Sequence, residues 1–152
     1  MDSQTKSPIK IGASGEQLAN DATDHQAILY ADGVMHAVNA PGFDEEMTYA
    51  EAEAACASLN HAGFSDWRLP ERVESLVLVD LKRYVPAADP ALFPDMKSDW
   101  YWTRTPTAWS LNEDGSSRSV WIVSFNYGGV YANGRNYRAF ARPCRVAAPA
   151  GQ

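Results

Sequence analysis

Side chains suited to molecular recognition are concentrated between Ser124 and Arg142. Tyrosine offers a large amphipathic surface at low entropic cost, asparagine both donates and accepts hydrogen bonds, and arginine adds a planar fork of donors. This composition predicts a ligand-binding surface made of Asn126, Tyr127, Tyr131, Asn133, Arg135, Asn136, Tyr137 and Arg138. Polar residues on the outer face of ordinary amphipathic strands would give the same composition, so that alternative stays open.

Signatures of catalysis are absent from the sequence. It contains no GxSxG, HExxH, GxGxxG or GxxxxGK[ST] motif. His25, His36 and His61 lie in separate local contexts, and we expect each on the surface or in a loop. Asp21–His25 reads as a turn whose side chains cap backbone amides. We therefore predict no catalytic residue, no metal and no cofactor; the alternative is an enzyme that uses the Asp21–His25 cluster or Cys144.

The two cysteines, Cys56 and Cys144, do not have the spacing of a metal site. One long-range disulfide between them is possible. The favoured interpretation is two reduced, buried thiols, because no export signal precedes the domain in this sequence.

Charge is distributed unevenly along the chain. Residues 1–114 hold all 19 acidic residues and eight basic ones, a net charge of −11, whereas residues 115–152 hold five arginines and no acid. The overall charge of −6 disfavours nucleic acid as a partner. No apolar run is long enough to cross a membrane. We expect a cytoplasmic or virion-associated protein that binds a protein ligand, with a glycan as the weaker alternative and the oligomeric state open.

The first half of the chain predicts a hairpin followed by a helix. Two apolar runs within residues 27–38 flank Asp32-Gly33, a pair that tolerates a tight hairpin turn. A short edge strand is expected near residues 9–11. Thr48 and Glu51 form a capping-box pattern, which predicts a helix with a stop near Gly63. Its buried face would carry Ala52, Cys56 and Leu59.

A second helix is expected from Pro70, followed by a β-rich half. The residues of this segment that would face the core of the domain are Val73, Leu76, Val77 and Leu81. Strands are predicted at residues 100–102, 119–125, 130–131 and 137–146, with turns at Gly128-Gly129 and Asn133-Gly134. Two helices ahead of a β-rich half predict an α+β domain.

These segments together resemble the Legionella collagen-like protein C-terminal (Lcl C-terminal) domain family. The resemblance is carried by the run GFSDWRLP at residues 63–70, by YWT at 101–103, by VWIVSF at 120–125 and by the closing RPCR at 142–145. It covers residues 26–146, which leaves a loose or edge-strand segment at 1–25 and a disordered tail at 147–152.

The resemblance implies a C-type-lectin-like fold, with two helices packed on twisted antiparallel sheet. It also implies a non-catalytic recognition module of the kind found on surface and phage-associated proteins, with a diversified site near the C-terminus. The calcium-binding triplets of sugar-binding lectins are missing, which argues against calcium dependence. The alternative function is a phage-encoded inhibitor of a host enzyme or defence complex inside the cell. Structural roles are expected for Trp67, Arg68, Leu69, Trp102 and Trp121, with Arg68 paired to an acidic neighbour such as Asp66 or holding loop carbonyls.

Overall fold

A computed structural model of the chain describes residues 8–147, and the predicted tail beyond Ala147 lies outside this range. The described part is an α+β domain with two helices and two antiparallel sheets, as predicted. The helices are α1 (Tyr49–Ala57) and α2 (Arg72–Leu76). The strands are β1 (Ile9–Ile11), β2 (Ala27–Leu29), β3 (Val34–Ala37), β4 (Trp100–Pro106), β5 (Ser119–Ser124), β6 (Val130–Gly134) and β7 (Cys144–Val146).

The first sheet has the strand order β1-β2-β3-β7, so it joins the two ends of the described chain. The predicted hairpin of β2 and β3 is confirmed. Gly33 adopts a φ of 87° at its turn, and the Asp32 carboxylate accepts a hydrogen bond from the Val34 amide at 3.0 Å. The expected edge strand is also confirmed, since β1 pairs antiparallel with β2.

The second sheet has the order β4-β5-β6. It carries much of the stretch from Ser124 to Arg142, which we call the recognition segment because binding residues are predicted there. Its two faces are covered differently. Trp102, Val120 and Ile122 pack with α1 residues, and we call this side the α1 face. Tyr101 and Val123 point to the opposite side and pack with the residues of and after α2, which defines the α2 face.

Helix α1 begins where the sequence predicts. The Thr48 hydroxyl accepts from the Glu51 amide, and the Glu51 carboxylate accepts from the Thr48 amide at 2.9 Å. Ala52 and Cys56 are buried against the second sheet. The helix ends at Ala57, before Gly63, whose φ of 84° serves a tight turn closed by hydrogen bonds between His61 and Phe64.

Helix α2 is shorter than predicted, and its expected buried face is largely wrong. Val73, Val77 and Leu81 are 64%, 45% and 80% exposed. The helix ends after five residues, so helical spacing no longer determines direction beyond Leu76. Leu78, in the irregular chain that follows, supplies the buried side chain instead.

Two further sequence expectations are corrected by the fold. Asn133 and Gly134 belong to β6 rather than to a turn, which instead falls at Arg135 and Asn136. Residues 137–143, expected as strand, form no strand within the described structure and have isolated bridges at Ala139 and Phe140 instead.

Candidate functional site

Large apolar side chains are exposed on one part of the domain. Within residues 8–147, all of those more than a third exposed come from residue 73 onward. Apart from Val146, they lie on the second sheet, on its connections, or on α2 and the chain that follows it. Exposed aromatic side chains grouped this way are typical of interaction sites rather than of ordinary surface.

The turn between β5 and β6 holds one part of this group. Tyr127 is 68% exposed and stacks on Tyr84, with ring centroids 6.3 Å apart. The two tyrosines are brought together by backbone pairing, since the Val85 amide donates to the Asn126 carbonyl at 2.8 Å. Gly128 follows with a φ of 94°, in the left-handed region that favours glycine.

Neighbouring side chains also pack closely on the two glycines of this turn. A Cβ added to Gly128 would lie 2.8 Å from a Val79 methyl and 3.1 Å from a Leu81 methyl. A Cβ on Gly129 would lie 2.9 Å from the ring of Tyr131. The two glycines therefore lie between the side chains of Leu81 and Tyr131.

Tyr131 lies on the α1 face of β6, directly opposite Ile122. It is 53% exposed and stacks on Trp100 with ring centroids 6.3 Å apart. We use the name turn surface for the exposed side chains grouped around this turn: Leu81, Tyr84, Trp100, Tyr127 and Tyr131.

The other predicted binding residues are distributed differently. Asn136 and Tyr137 are exposed in the turn after β6. Asn133 is only 5% exposed, opposite Val120 on the α1 face, so its side chain does not reach the surface. Arg135 is half-buried, with its guanidinium 4.4 Å from the centre of the Tyr49 ring.

Arg138 is exposed but already has partners. Its guanidinium donates to the Glu46 carbonyl at 2.9 Å and lies 3.6 Å from the Glu51 carboxylate. It therefore connects the recognition segment to the start of α1. Four of the eight predicted binding residues are exposed without such an ion pair, namely Tyr127, Tyr131, Asn136 and Tyr137, whereas Asn126 is half-buried. Tyr127 and Tyr131 belong to the turn surface.

The residues predicted as structural are mainly internal. Trp67 is 3% exposed. Leu69 and Trp102 belong together to the buried cluster beside α1. The Trp102 indole donates to the Met47 carbonyl at 2.8 Å. Trp121 is the exception, because it is only half-buried on the α2 face, with the exposed Trp109 packed edge-on to it at 5.4 Å.

The acidic partner of Arg68 is Glu74 and not Asp66. Arg68 donates to both Glu74 oxygens, at 2.8 and 2.9 Å, and also to the Leu69 carbonyl. The Arg68 hydrogen bonds lower the pKa of Glu74 to about 2, against the opposing effect of burial. Asp66 instead pairs with Arg145, which approaches it from β7.

The expectation that the histidines lie on the surface is wrong, because His25, His36 and His61 are all buried, although His25 lies in a loop, the other expected setting. His25 Nε2 lies 2.8 Å from the Leu92 carbonyl, and His61 Nε2 lies 2.8 Å from the Gln26 carbonyl. Neither ring nitrogen of His36 has a hydrogen-bond partner among the described residues. Burial, followed by the nearby Arg142 charge, lowers the pKa of His36 to about 3.

Both cysteines are buried and free, as the favoured sequence interpretation expects. Burial raises the pKa of Cys56 to about 12 and also raises the pKa of Cys144, where the Arg68 charge opposes it. Within residues 8–147, no group of three or more His, Cys, Asp or Glu is placed to hold a metal ion. The helices of this same range, nine and five residues long, are too short to cross a bilayer.

Sequence reasoning missed Tyr84, Trp100 and Trp109 as parts of the exposed aromatic group. They lie outside the recognition segment, and only the chain pairing described above brings Tyr84 and Trp100 beside it. Their local signal was weak, because a tryptophan or tyrosine in an apolar strand or a proline-rich loop is more often buried.

Taken together, the fold and this surface define a small α+β domain with an exposed aromatic region on its second sheet. The chain belongs to the Lcl C-terminal domain family, whose model matches residues 21–145, and the predicted family resemblance is thereby confirmed. No curated protein matches the sequence.

Proposed function

We propose that this domain is a non-catalytic recognition module with a C-type-lectin-like fold that binds a protein ligand. Its contact site is the turn surface, extended by Asn136 and Tyr137 along the following turn. The observation that carries the proposal is the stacking of exposed aromatic rings in two pairs, Tyr84 with Tyr127 and Trp100 with Tyr131. Rigid aromatic rings held by stacking lose little entropy when a ligand covers them.

A protein ligand is favoured over a glycan by the aliphatic groups beside these rings. Leu81 and Val85 are 80% and 52% exposed next to Tyr84 and Tyr127. Protein interfaces combine aromatic anchors with apolar surface at a core that is depleted in charge. Exposed aliphatic groups of this kind gain from contact with another apolar surface.

The non-catalytic part of the proposal is supported by the state of the candidate reactive groups. A nucleophilic cysteine needs a lowered pKa and access to substrate, whereas Cys56 and Cys144 are buried with raised pKa values. His25 and His61 each face backbone carbonyls in the interior.

The experiment selects peptides from a displayed library of random linear peptides on the immobilised domain, with a glycan array measured in parallel. The strongest synthetic peptide is then titrated against Tyr127→Ala and Tyr131→Ala. We expect each substitution to weaken binding by about tenfold or more, as for central aromatic residues of interfaces. The thermal midpoint should stay nearly unchanged, because both rings are more than half exposed.

The matched control is Val146→Ala, which removes an equally exposed apolar side chain on the first sheet. It should leave peptide affinity unchanged. Selective glycan binding without peptide enrichment would overturn the assignment of a protein ligand. Equal binding by the tyrosine variants and the wild type would overturn the assignment of the site. If a natural partner is then captured, its location distinguishes the two roles. A cell-surface partner would support receptor binding by a phage, and a partner from inside the host cell would support inhibition.

A further inference from the structure

Within residues 8–147, no strand pairs with the outer edge of β6. Antiparallel strands alternate between residues that hydrogen-bond to each other and residues that point their backbone groups away. At one end of the β5–β6 ladder the Arg135 amide donates to the Arg118 carbonyl, and at the other the Ser124 amide donates to the Gly129 carbonyl. By the register of the strands, Tyr131 and Asn133 therefore bond to β5.

Val130 and Ala132 must then point their amides and carbonyls away from β5. No described residue bonds to these four groups, although β4 at the other side of the sheet is covered by pairing with Phe140 and Pro70. Both edges of the first sheet are covered as well: β1 by a bridge to Gln17, and β7 by a bridge to Arg68.

The residues of β6 do not protect this edge. Natural proteins commonly block an edge strand with lysine, proline or an inward charge, whereas β6 reads Val-Tyr-Ala-Asn-Gly. The edge also has aromatic residues beside it on both faces of the sheet. Tyr131 stacks on Trp100 on the α1 face, while the small Ala132 lies opposite the half-buried Trp121 on the α2 face.

The charges at the end of the β5–β6 ladder indicate which kind of peptide strand would bind beside β6. Arg118 and Arg135 lie opposite each other at the end of the ladder, where two like charges repel. Neither has a carboxylate within ion-pair distance among residues 8–147. The Arg135 guanidinium lies over the Tyr49 ring and donates to the Ser117 hydroxyl at 2.9 Å, while its buried Nε has no partner among these residues. A second copy of the same edge would add two more arginines, whereas an acidic strand would neutralise the pair.

We propose that β6 accepts an extended, acidic segment of a partner protein as a fourth strand of the second sheet. The inference rests on the proposed function, and it specifies the partner as a peptide bound through its backbone, with a carboxylate near Arg118 and Arg135. Main-chain hydrogen bonds supply affinity in such strand addition, and alternate side chains supply specificity. The apolar side chains of the peptide would contact Tyr131 on one face and Trp121 on the other.

The first test is amide hydrogen exchange of the whole domain, alone and with the strongest synthetic peptide from the displayed library. In the free domain, the Val130 and Ala132 amides should exchange faster than those of Tyr131 and Asn133, which already bond to β5. Peptide binding should slow Val130 and Ala132 by about tenfold or more and change the other two little. Slow exchange of Val130 and Ala132 in the free monomer would mean that the edge is already covered, and would overturn the proposal.

The second test is Ala132→Pro, which removes an outward amide without removing a β5–β6 hydrogen bond and blocks the edge. It should abolish peptide binding. Because proline can also disturb the strand, an independent measurement uses peptides with single N-methylated amides, and affinity should be lost at every second position. Arg118→Glu should weaken acidic peptides and leave uncharged ones unaffected.

The outcomes separate this inference from the proposed function. Peptides that lose affinity with Tyr127→Ala but bind Ala132→Pro normally and tolerate every N-methylation would overturn strand addition and preserve recognition at the turn surface. A failure to select any peptide would count against both. Protection of Val130 and Ala132 that appears only as the domain dimerises, measured by light scattering, would replace the partner peptide with a second copy of this chain.

Discussion

Replacing His36 with leucine should make the domain less sensitive to mild acid. His36 is 1% exposed in β3, and neither of its ring nitrogens has a hydrogen-bond partner among the described residues. The charged groups around it are Arg142 and Arg68, which disfavour protonation, and Glu74, which favours it. Leucine in this position loses no hydrogen bond and removes the titrating group.

The size of the effect follows from proton linkage. The pKa of His36 is lowered from 6.5 to about 3 in the folded domain, mainly by burial. Between these values the unfolded chain binds a proton that the folded chain does not, so stability falls as the pH falls. The slope is about 1.4 kcal/mol per pH unit, which gives a loss of about 3 kcal/mol between neutral pH and about pH 4.5.

The assay is urea unfolding at a series of pH values from about 7 to about 4.5, followed by tryptophan fluorescence. The difference between the free energies of unfolding of the wild type and His36→Leu should change with pH by the slope given above, with the wild type losing stability as the pH falls. Val38→Ala, at another fully buried position beside β3, is the control and should shift the curve by the same amount at each pH. Parallel curves for the wild type and His36→Leu would refute the reasoning.

Two further predictions concern Glu74 and the thiols. Glu74→Gln should cost about 2 kcal/mol at neutral pH, because the ion pair with Arg68 is less than a quarter exposed. The depressed pKa of Glu74 makes this stabilisation present above about pH 4.5 and lost as the pH falls toward 2. Acid titrations by circular dichroism should show that loss in the wild type and not in the variant; equal losses would contradict it. Cys56 and Cys144 should react with Ellman's reagent only after denaturation, since burial shields them and raises their pKa values; rapid reaction of the native domain would disagree.

Local interactions explain the parts of the fold that were predictable. The capping box of Thr48 and Glu51 and the Asp32-Gly33 turn involve residues at most a few positions apart. Their geometry is determined by the backbone near them, so a short stretch of sequence is sufficient. The apolar run of β5 was similarly informative, because apolar residues in both alternate sets predict a strand covered on both faces, and Val120, Ile122 and Val123 are fully buried.

Errors arose where distant segments set the environment. Val73, Val77 and Leu81 have the spacing of a buried helix face, yet no distant segment within the described residues covers Val73, and α2 ends before Val77 and Leu81. Arg68 has an acidic residue two positions away at Asp66, yet the chain returns with Arg145 to occupy that carboxylate and leaves Arg68 to Glu74. These two pairings, Arg145 with Asp66 and Arg68 with Glu74, depend on the packing of β7 and cannot be predicted from the local sequence.

The sequence by itself determined the α+β class, the hairpin, the start of α1, the family and the kind of chemistry concentrated after Ser124. Tertiary structure alone decided which of those side chains reach the surface. It buries Asn133, engages Arg138 with α1, and adds Tyr84 and Trp100 to the recognition segment. The physical reason is that composition records what a side chain can do, whereas exposure and stacking depend on which remote segments cover it.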